Sequence, residues 1–406
     1  MDDATSETGT PPSDAAPRDR RGCLIAAVVA AAVIVVGMFF AAVVGRGDGG
    51  GESDMPGMDM GSGGGPAELP EAEVSGPTRM GDLVMPPGMT MSAGMSMDAM
   101  RDMAAVDAGD VDRRAPATAR GDQPLAPRVV DGVKEFDLRT SVVGWSILPR
   151  VPVLAYAFNG QVPGPRLALT QGDRVRIRVR NDLPEPTTVH WHGLQLPNEM
   201  DGPSVITQPP IRRGATFTYE FTVEQAGTYF YHSHASADRQ QALGLYGALV
   251  VAPAQPDPPV AADVVMQLQE WTVRDGYTFP AMPMEGLMPN FFTINGKAWP
   301  ATETIRVKVG EQVRLRFVGA GAFAHPMHVH GGPFQIVATD GNPVPPGAQL
   351  LKDTVNVAPG ERYDVLWTAR RPGKWLVHCH INHHTTNDGA EQGGAGGLTA
   401  LIEVTA

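Results

Sequence analysis

The stretch RGATFTYEFTVEQAGTYFYHSH, from Arg213 to His234, returns later in the chain as PGERYDVLWTARRPGKWLVHCH, from Pro359 to His380. Both copies alternate apolar and polar residues in two runs around a glycine, the signature of paired strands. Both end on two histidines one residue apart. Working outward, HWHGLQLP at 190–197 matches HVHGGPFQIV at 328–337. Further upstream, NGQVPGPRLALTQGDRVRIRV from Asn159 matches NGKAWPATETIRVKVGEQVRLRF from Asn295. The offset is 136 to 138 residues early and 146 late, so one loop is lengthened. Two copies of about 130 residues, each with some seven or eight short strands, predict two β-sandwich domains of one kind. They occupy 126–255 and 256–406, with the boundary in APAQPDPP at 252–259. No convincing amphipathic helix is readable beyond about 110, so the region is expected to be all-β.

The N-terminal part has a different texture. Residues 1–22 are polar and end in Arg18, Arg20 and Arg21. CLIAAVVAAAVIVVGMFFAAVVG, from Cys23 to Gly45, carries no charge over 23 residues. A helix of that length runs roughly 35 Å, enough for a hydrocarbon core of about 30 Å. A retained transmembrane anchor over 23–45 is expected, with a cleaved signal peptide as the alternative. The preceding arginines put the tail in the cytoplasm and everything after Arg46 on the extracytoplasmic side of a bacterial cell membrane. Residues 46–125 are expected to be a flexible Gly- and Met-rich linker. Eleven of the nineteen methionines lie at 55–103. Thioethers prefer Cu(I). A tether that merely tolerates Met, or a short helix near 95–105 using Met as packing, explains the same composition equally well. Met282, Met284 and Met288 form a second small cluster.

A net charge of -12, from 32 Lys+Arg against 44 Asp+Glu, argues against a nucleic-acid binder. The two cysteines, Cys23 and Cys379, offer no disulfide framework.

All eleven histidines fall in four clusters: His190 and His192; His232 and His234; His325, His328 and His330; His378, His380, His383 and His384. On a strand, residues i and i+2 project from one face, so each H-x-H pair presents two imidazoles side by side. Four pairs are too many for one Zn²⁺, which takes four ligands. They suit several metal ions bound between domains, and imidazole favours copper. Cys379 lies between two of these histidines and must face the other way. With His325 and His384 it makes a thiolate and two imidazoles, the ligand set of a blue-copper site. The first copy has Thr187, Ser233 and Asp238 at the aligned positions of His325, Cys379 and His384. Only the second domain is therefore expected to hold the mononuclear site.

These motifs resemble those of the multicopper oxidases, which include laccases, ascorbate oxidases and bacterial cuprous oxidases. The resemblance covers about 126–406. It implies two cupredoxin-like Greek-key domains that oxidise a reducing substrate at a type 1 copper and reduce O2 to water at a trinuclear cluster. By position, it implies His325, Cys379 and His384 as type 1 ligands, and His190 and His328 as type 2 ligands. His192, His232, His234, His330, His378 and His380 match the type 3 pair, four copper ions in all. Asp201, in MDGP, resembles the acidic residue that moves protons near the cluster. The chain has room for two domains where many members have three, as in two-domain laccases. In those, neighbouring subunits of a homotrimer enclose the cluster. Where the family often places Met or Leu five residues after the type 1 histidine, this chain has Gly389, and the loop 385–397 is lengthened. Alignment to the last strand puts Leu398 at the axial place, a non-ligating residue that tends to raise the copper's potential. His383 competes with His384 as ligand or has a secondary role.

A copper nitrite reductase shares the two-domain trimer but keeps its type 1 site in the first domain and lacks four H-x-H pairs. A copper-storage protein needs no blue-copper site wired to a cluster. Copper stoichiometry and O2 uptake separate the three readings. The donor, a phenol or Cu(I), stays open. Deleting 55–103 is expected to lower cuprous oxidase activity and spare phenol oxidation.

Overall fold

A computed structural model describes residues 76–89 and 94–406. The expected membrane span at 23–45 lies outside the described residues. Among the described residues no helix is long and apolar enough to cross a membrane.

The body is built of β-strands with a few short helical turns, as the alternation requires. The first domain pairs two sheets. One is built around the long strand Val133–Leu148, flanked in parallel by Arg174–Asn181 and in antiparallel by Val151–Phe158. The other runs Gly164–Thr170, Tyr246–Ala252, Gly227–Ser233, Val189–His192. The second domain repeats the plan. Ala262–Arg274 lies parallel to Gln312–Gly319 in one sheet. The facing sheet has the order Thr304–Lys308, Thr399–Thr405, Gly373–Cys379, His325–Val329, Thr354–Val357. Parallel neighbours within one sheet exclude a simple meander and fit Greek-key connections, as the resemblance implies.

Each sandwich has its own core, one around Trp191, Tyr219 and Tyr231, the other around Phe317, Trp367 and Ile402. A third cluster is shared, with Val143, Trp145 and Ala155 of the first domain packed with Trp271, Phe291 and Ala298 of the second. Trp145 Nε1 donates to the Gly296 carbonyl at 2.8 Å. Between the sheets, Arg316 donates to Asp364 at 2.7 Å and to Thr228 Oγ1 of the first domain at 2.7 Å. These buried contacts hold the two sandwiches as one body.

The expectation of a linker running to residue 125 needs correction. Val111–Arg114 joins the first domain's sheet as a parallel edge strand. Met97–Met103 is a helix whose Ser96 side chain accepts from Ala99 N at its start. Met85, Met100 and Met103 are buried against Phe279, Met282 and Leu287 of the second domain. These methionines act as adaptable packing, the alternative that composition alone could not separate from metal binding.

Candidate metal centres

The strand His325–Val329 has the burial pattern in, out, in, out, in. His325 and Met327 face the core, and Cys379, paired across the ladder with Met327, faces it too. His328 and His378, the next pair along, face outward. One sheet thus carries two donor sets on its two faces, as period-2 strand geometry demands.

On the inner face, Cys379 Sγ lies 3.6 Å from His384 Nδ1 and 3.9 Å from His325 Nδ1. The two Nδ1 atoms are 3.1 Å apart. All three donors are buried and close enough to share one metal ion. Burial, with His325 and His383 nearby, pushes the His384 imidazole down to about 3. Burial pushes the Cys379 thiol up to about 11. The His384 lone pair is therefore free for a cation, and the Cys379 thiol proton is one that a metal must displace. His384 stacks on Phe292 with ring centroids 4.1 Å apart. His325 Nε2 meets Glu270 Oε1 at 2.5 Å. Leu398 is fully buried; its N–H donates to the His384 carbonyl at 2.9 Å, and its carbonyl accepts from Cys379 N–H at 3.1 Å. His383 is exposed on the rim, 5.7 Å from the Phe292 ring, and is not part of the donor triad.

In the first domain the equivalent inner slot is filled by hydrogen bonds. Thr187 Oγ1 lies 3.3 Å from Ser233 Oγ, and both hydroxyls donate to Gln240 Oε1, at 2.7 and 2.5 Å. Thr187 and Ser233 stand where the repeat predicts. The third group is Gln240 from a short helix, not Asp238.

The outward faces carry the paired histidines. His190, His192 and His232 are close enough to share an ion, with His234 5.4 Å from His190 between ring centroids. In the second domain His330 Nε2 and His378 Nε2 are 3.0 Å apart, and His380 lies beside His328 at 5.7 Å. Four rings are oriented by backbone carbonyls. Nδ1–H of His190 donates to Asp201 at 2.7 Å, His232 to Ser233 at 2.8 Å, His328 to Asp353 at 2.8 Å and His378 to Cys379 at 2.9 Å. Each bond fixes the tautomer and turns Nε2 toward the cluster, as second-shell partners of metal-binding histidines do. Burial, with Arg362 nearby, takes His192 down to about 3, and burial does the same for His232. The donor chemistry and orientation fit copper. The carboxylate of Asp201 reaches within 3.4 Å of His190 Nδ1, so the sequence-predicted acid stands at the site.

Ring contacts run within each half, and among the described residues none joins a histidine of 190–234 to one of 328–380. The chain brings together two half-sets, not one set of eight. Sequence reasoning missed Glu270, Gln240 and Phe292. A glutamate inside an apolar strand was the one available signal.

The multicopper oxidase family models match residues 141–256 and 260–392, one on each domain. Copper resistance protein A of Pseudomonas syringae pv. tomato is 30% identical over 302 residues, covering 62% of this chain and 48% of that protein. Laccase-19 of Oryza sativa subsp. japonica is 35% identical over 245 residues, covering 56% and 40%. The chain spans about half the length of the curated relatives it matches. Among solved structures, the blue copper oxidase from Nitrosomonas europaea aligns with a TM-score of 0.62 at 36% identity, covering 67% of this chain and 86% of that one. With both sandwiches matched and the histidine and cysteine donors gathered as described, the chain belongs to the multicopper oxidase family, whose cofactor is copper.

Proposed function

We propose that this chain is a copper-dependent oxidase coupling one-electron oxidation of a small reducing substrate to four-electron reduction of O2 to water. The carrying observation is the HCH segment. Cys379 faces the inner triad while its covalent neighbour His378 faces the outer set. Copper at such centres supplies one-electron exchange and O2 reduction. The chain's own part is to hold the donors, exclude water from the inner site and keep Asp201 where protons are needed. Filling of the first domain's slot by Thr187, Ser233 and Gln240 favours this reading over a nitrite reductase. A copper-loaded preparation should consume O2 with a phenol or with Cu(I); no uptake with either overturns the assignment.

The separate half-sets support a cluster completed by a second copy, in a homotrimer. Apolar residues are exposed beside each half. Val205 and Ile206, both 83% exposed, follow Asp201, and Leu350 and Leu351, 61% and 68% exposed, precede Asp353. Such patches beside an incomplete site fit a subunit interface. The apolar run at 23–45 supports a single-pass anchor in a bacterial cell membrane, with both sandwiches on the extracytoplasmic side.

For the donor, the methionines divide. Several are core, but Met97, Met284 and Met288 remain exposed. Met288 lies four residues before Phe292, which stacks on His384. Exposed thioethers are soft ligands of the kind that prefer Cu(I). Replacing Met97, Met284 and Met288 with Ser should lower turnover with Cu(I) and leave phenol turnover unchanged; equal effects on both would reject Cu(I) as donor.

A further inference from the structure

Four carboxylates are buried among the described residues: Asp122, Glu135, Glu270 and Asp364. Three have an arginine, since Asp122 meets Arg166, Glu135 meets Arg128, Arg176 and Arg178, and Asp364 meets Arg316. Glu270 is fully buried, and among the described residues its ion-pair partner is the imidazole of His325 alone. A lone buried carboxylate is costly unless a positive centre lies close. Its position is firmly held. Oε2 accepts from Ala322 N–H at 3.0 Å. A Cβ at Gly321 would fall 1.9 Å from Oε2, so that residue must be glycine for the carboxylate to stay. Across the antiparallel ladder, Glu270 pairs with Phe292 on the neighbouring strand Phe291–Ile294, and Phe292 stacks on His384.

The repeat supplies a control. Asn295 Oδ1 accepts from Gln267 N–H as Asn159 Oδ1 accepts from Arg139 N–H. Three residues on, Glu270 corresponds to Val142, a core residue of the first domain. The carboxylate is present where the inner triad is present, and missing where Thr187 and Ser233 replace it.

We infer that Glu270 is a positioning residue for the type 1 copper: its carboxylate holds Nε2–H of His325, presents Nδ1 to the metal, and lowers the metal's reduction potential by its charge. The inference rests on the copper reading of the inner triad. It also names an influence opposite to Leu398, whose apolar side chain alone favours a higher potential. A carboxylate at the outer nitrogen makes the imidazole a stronger donor and stabilises the more highly charged metal.

The test is a redox titration of the thiolate-to-copper absorption in copper-loaded wild type, Glu270→Gln and Glu270→Asp. Glu270→Gln should keep the band and the copper count. At a fixed poise its ratio of reduced to oxidised type 1 copper should rise about tenfold, ~59 mV for one electron. Glu270→Asp, which keeps the charge, should return most of that shift. A Glu270→Gln protein with an intact band at the wild-type potential overturns the inference, as does an Asp variant displaced as far as the Gln variant. Should Glu270→Gln fail to hold copper, nitrogen-resolved NMR of the metal-free wild type decides, and a proton on Nδ1 of His325 overturns the inference. Absence of the band from wild type would instead refute the copper reading itself.

Discussion

Gly360 of the second domain lies against His192 of the first, where an added Cβ would stand 3.2 Å from the imidazole Cε1. Arg362, two residues on, donates to the Thr228 carbonyl at 3.4 Å and helps keep His192 neutral. This turn of the second domain, between Thr354–Val357 and Arg362–Thr368, therefore backs one half of the first domain's outer donor set. Gly360 has φ of 82°, a region that costs a side chain about 1–2 kcal/mol. Gly360→Ala should lower stability by about that amount and reduce copper retained by the paired histidines, with the thiolate absorption kept. Metal analysis beside a thermal melt checks both.

Serine already occupies the first domain's version of the cysteine position, as Ser233. Cys379→Ser should therefore fold normally. It should lose the strong visible absorption and the type 1 copper while the paired histidines keep theirs. Retained colour would contradict the inner triad.

Arg316 is bound by Asp263, Asp364 and Thr228. Burial raises the Asp364 carboxyl, and Arg316 opposes that rise. Arg316→Met leaves Asp364 buried without its cation, a loss of about 3–5 kcal/mol. Denaturant unfolding should show it. Arg316→Met combined with Asp364→Leu should recover much of the loss.

Val205 has φ of 69°, unusual for a β-branched residue, and it and Ile206 are exposed on the loop that follows Asp201, whose carbonyl accepts from His190. Changing both to Glu should yield monomers that keep the blue site and lose outer-set copper. Sedimentation with copper counting is the measurement. Trimers with full copper would dismiss this patch as the interface.

Burial raises the Asp122 carboxyl to about 7, against the opposing pull of Arg166. Its folded value lies above the unfolded one, about 4. Between those values the native state binds more protons than the unfolded chain, so stability contributed by this group falls as pH rises from about 4 to 7. Asp122→Asn removes that dependence. Its stability relative to wild type should improve across this window and level off above it, as melts at several pH values would show.

Much of the outer site was legible because strand periodicity turns H-x-H spacing directly into geometry. The His325, Cys379 and His384 triad was readable for the same reason, with the repeat identifying the empty counterpart. Glu270 was not, because it reaches its site from a strand whose placement no local pattern encodes, and Gln240 was not, because the local turn into the helix Ala237–Gln240 puts it, rather than the aligned Asp238, against Ser233. The methionines misled in part: Met85, Met100 and Met103 have the composition of a soft-metal tether and the burial of a core. Composition cannot distinguish a thioether aimed at solvent from one packed on Phe279.

The loop 385–397 begins beside His384 and ends at Leu398, whose N–H is bonded to the His384 carbonyl. Its two ends are fixed by the same contacts that shape the inner triad. For a loop so closed, doubling the length costs only about 0.6 kcal/mol. This segment is therefore a natural insertion point. Its length and chemistry can diverge, and with them the surface an approaching donor meets, while the geometry beneath stays constant.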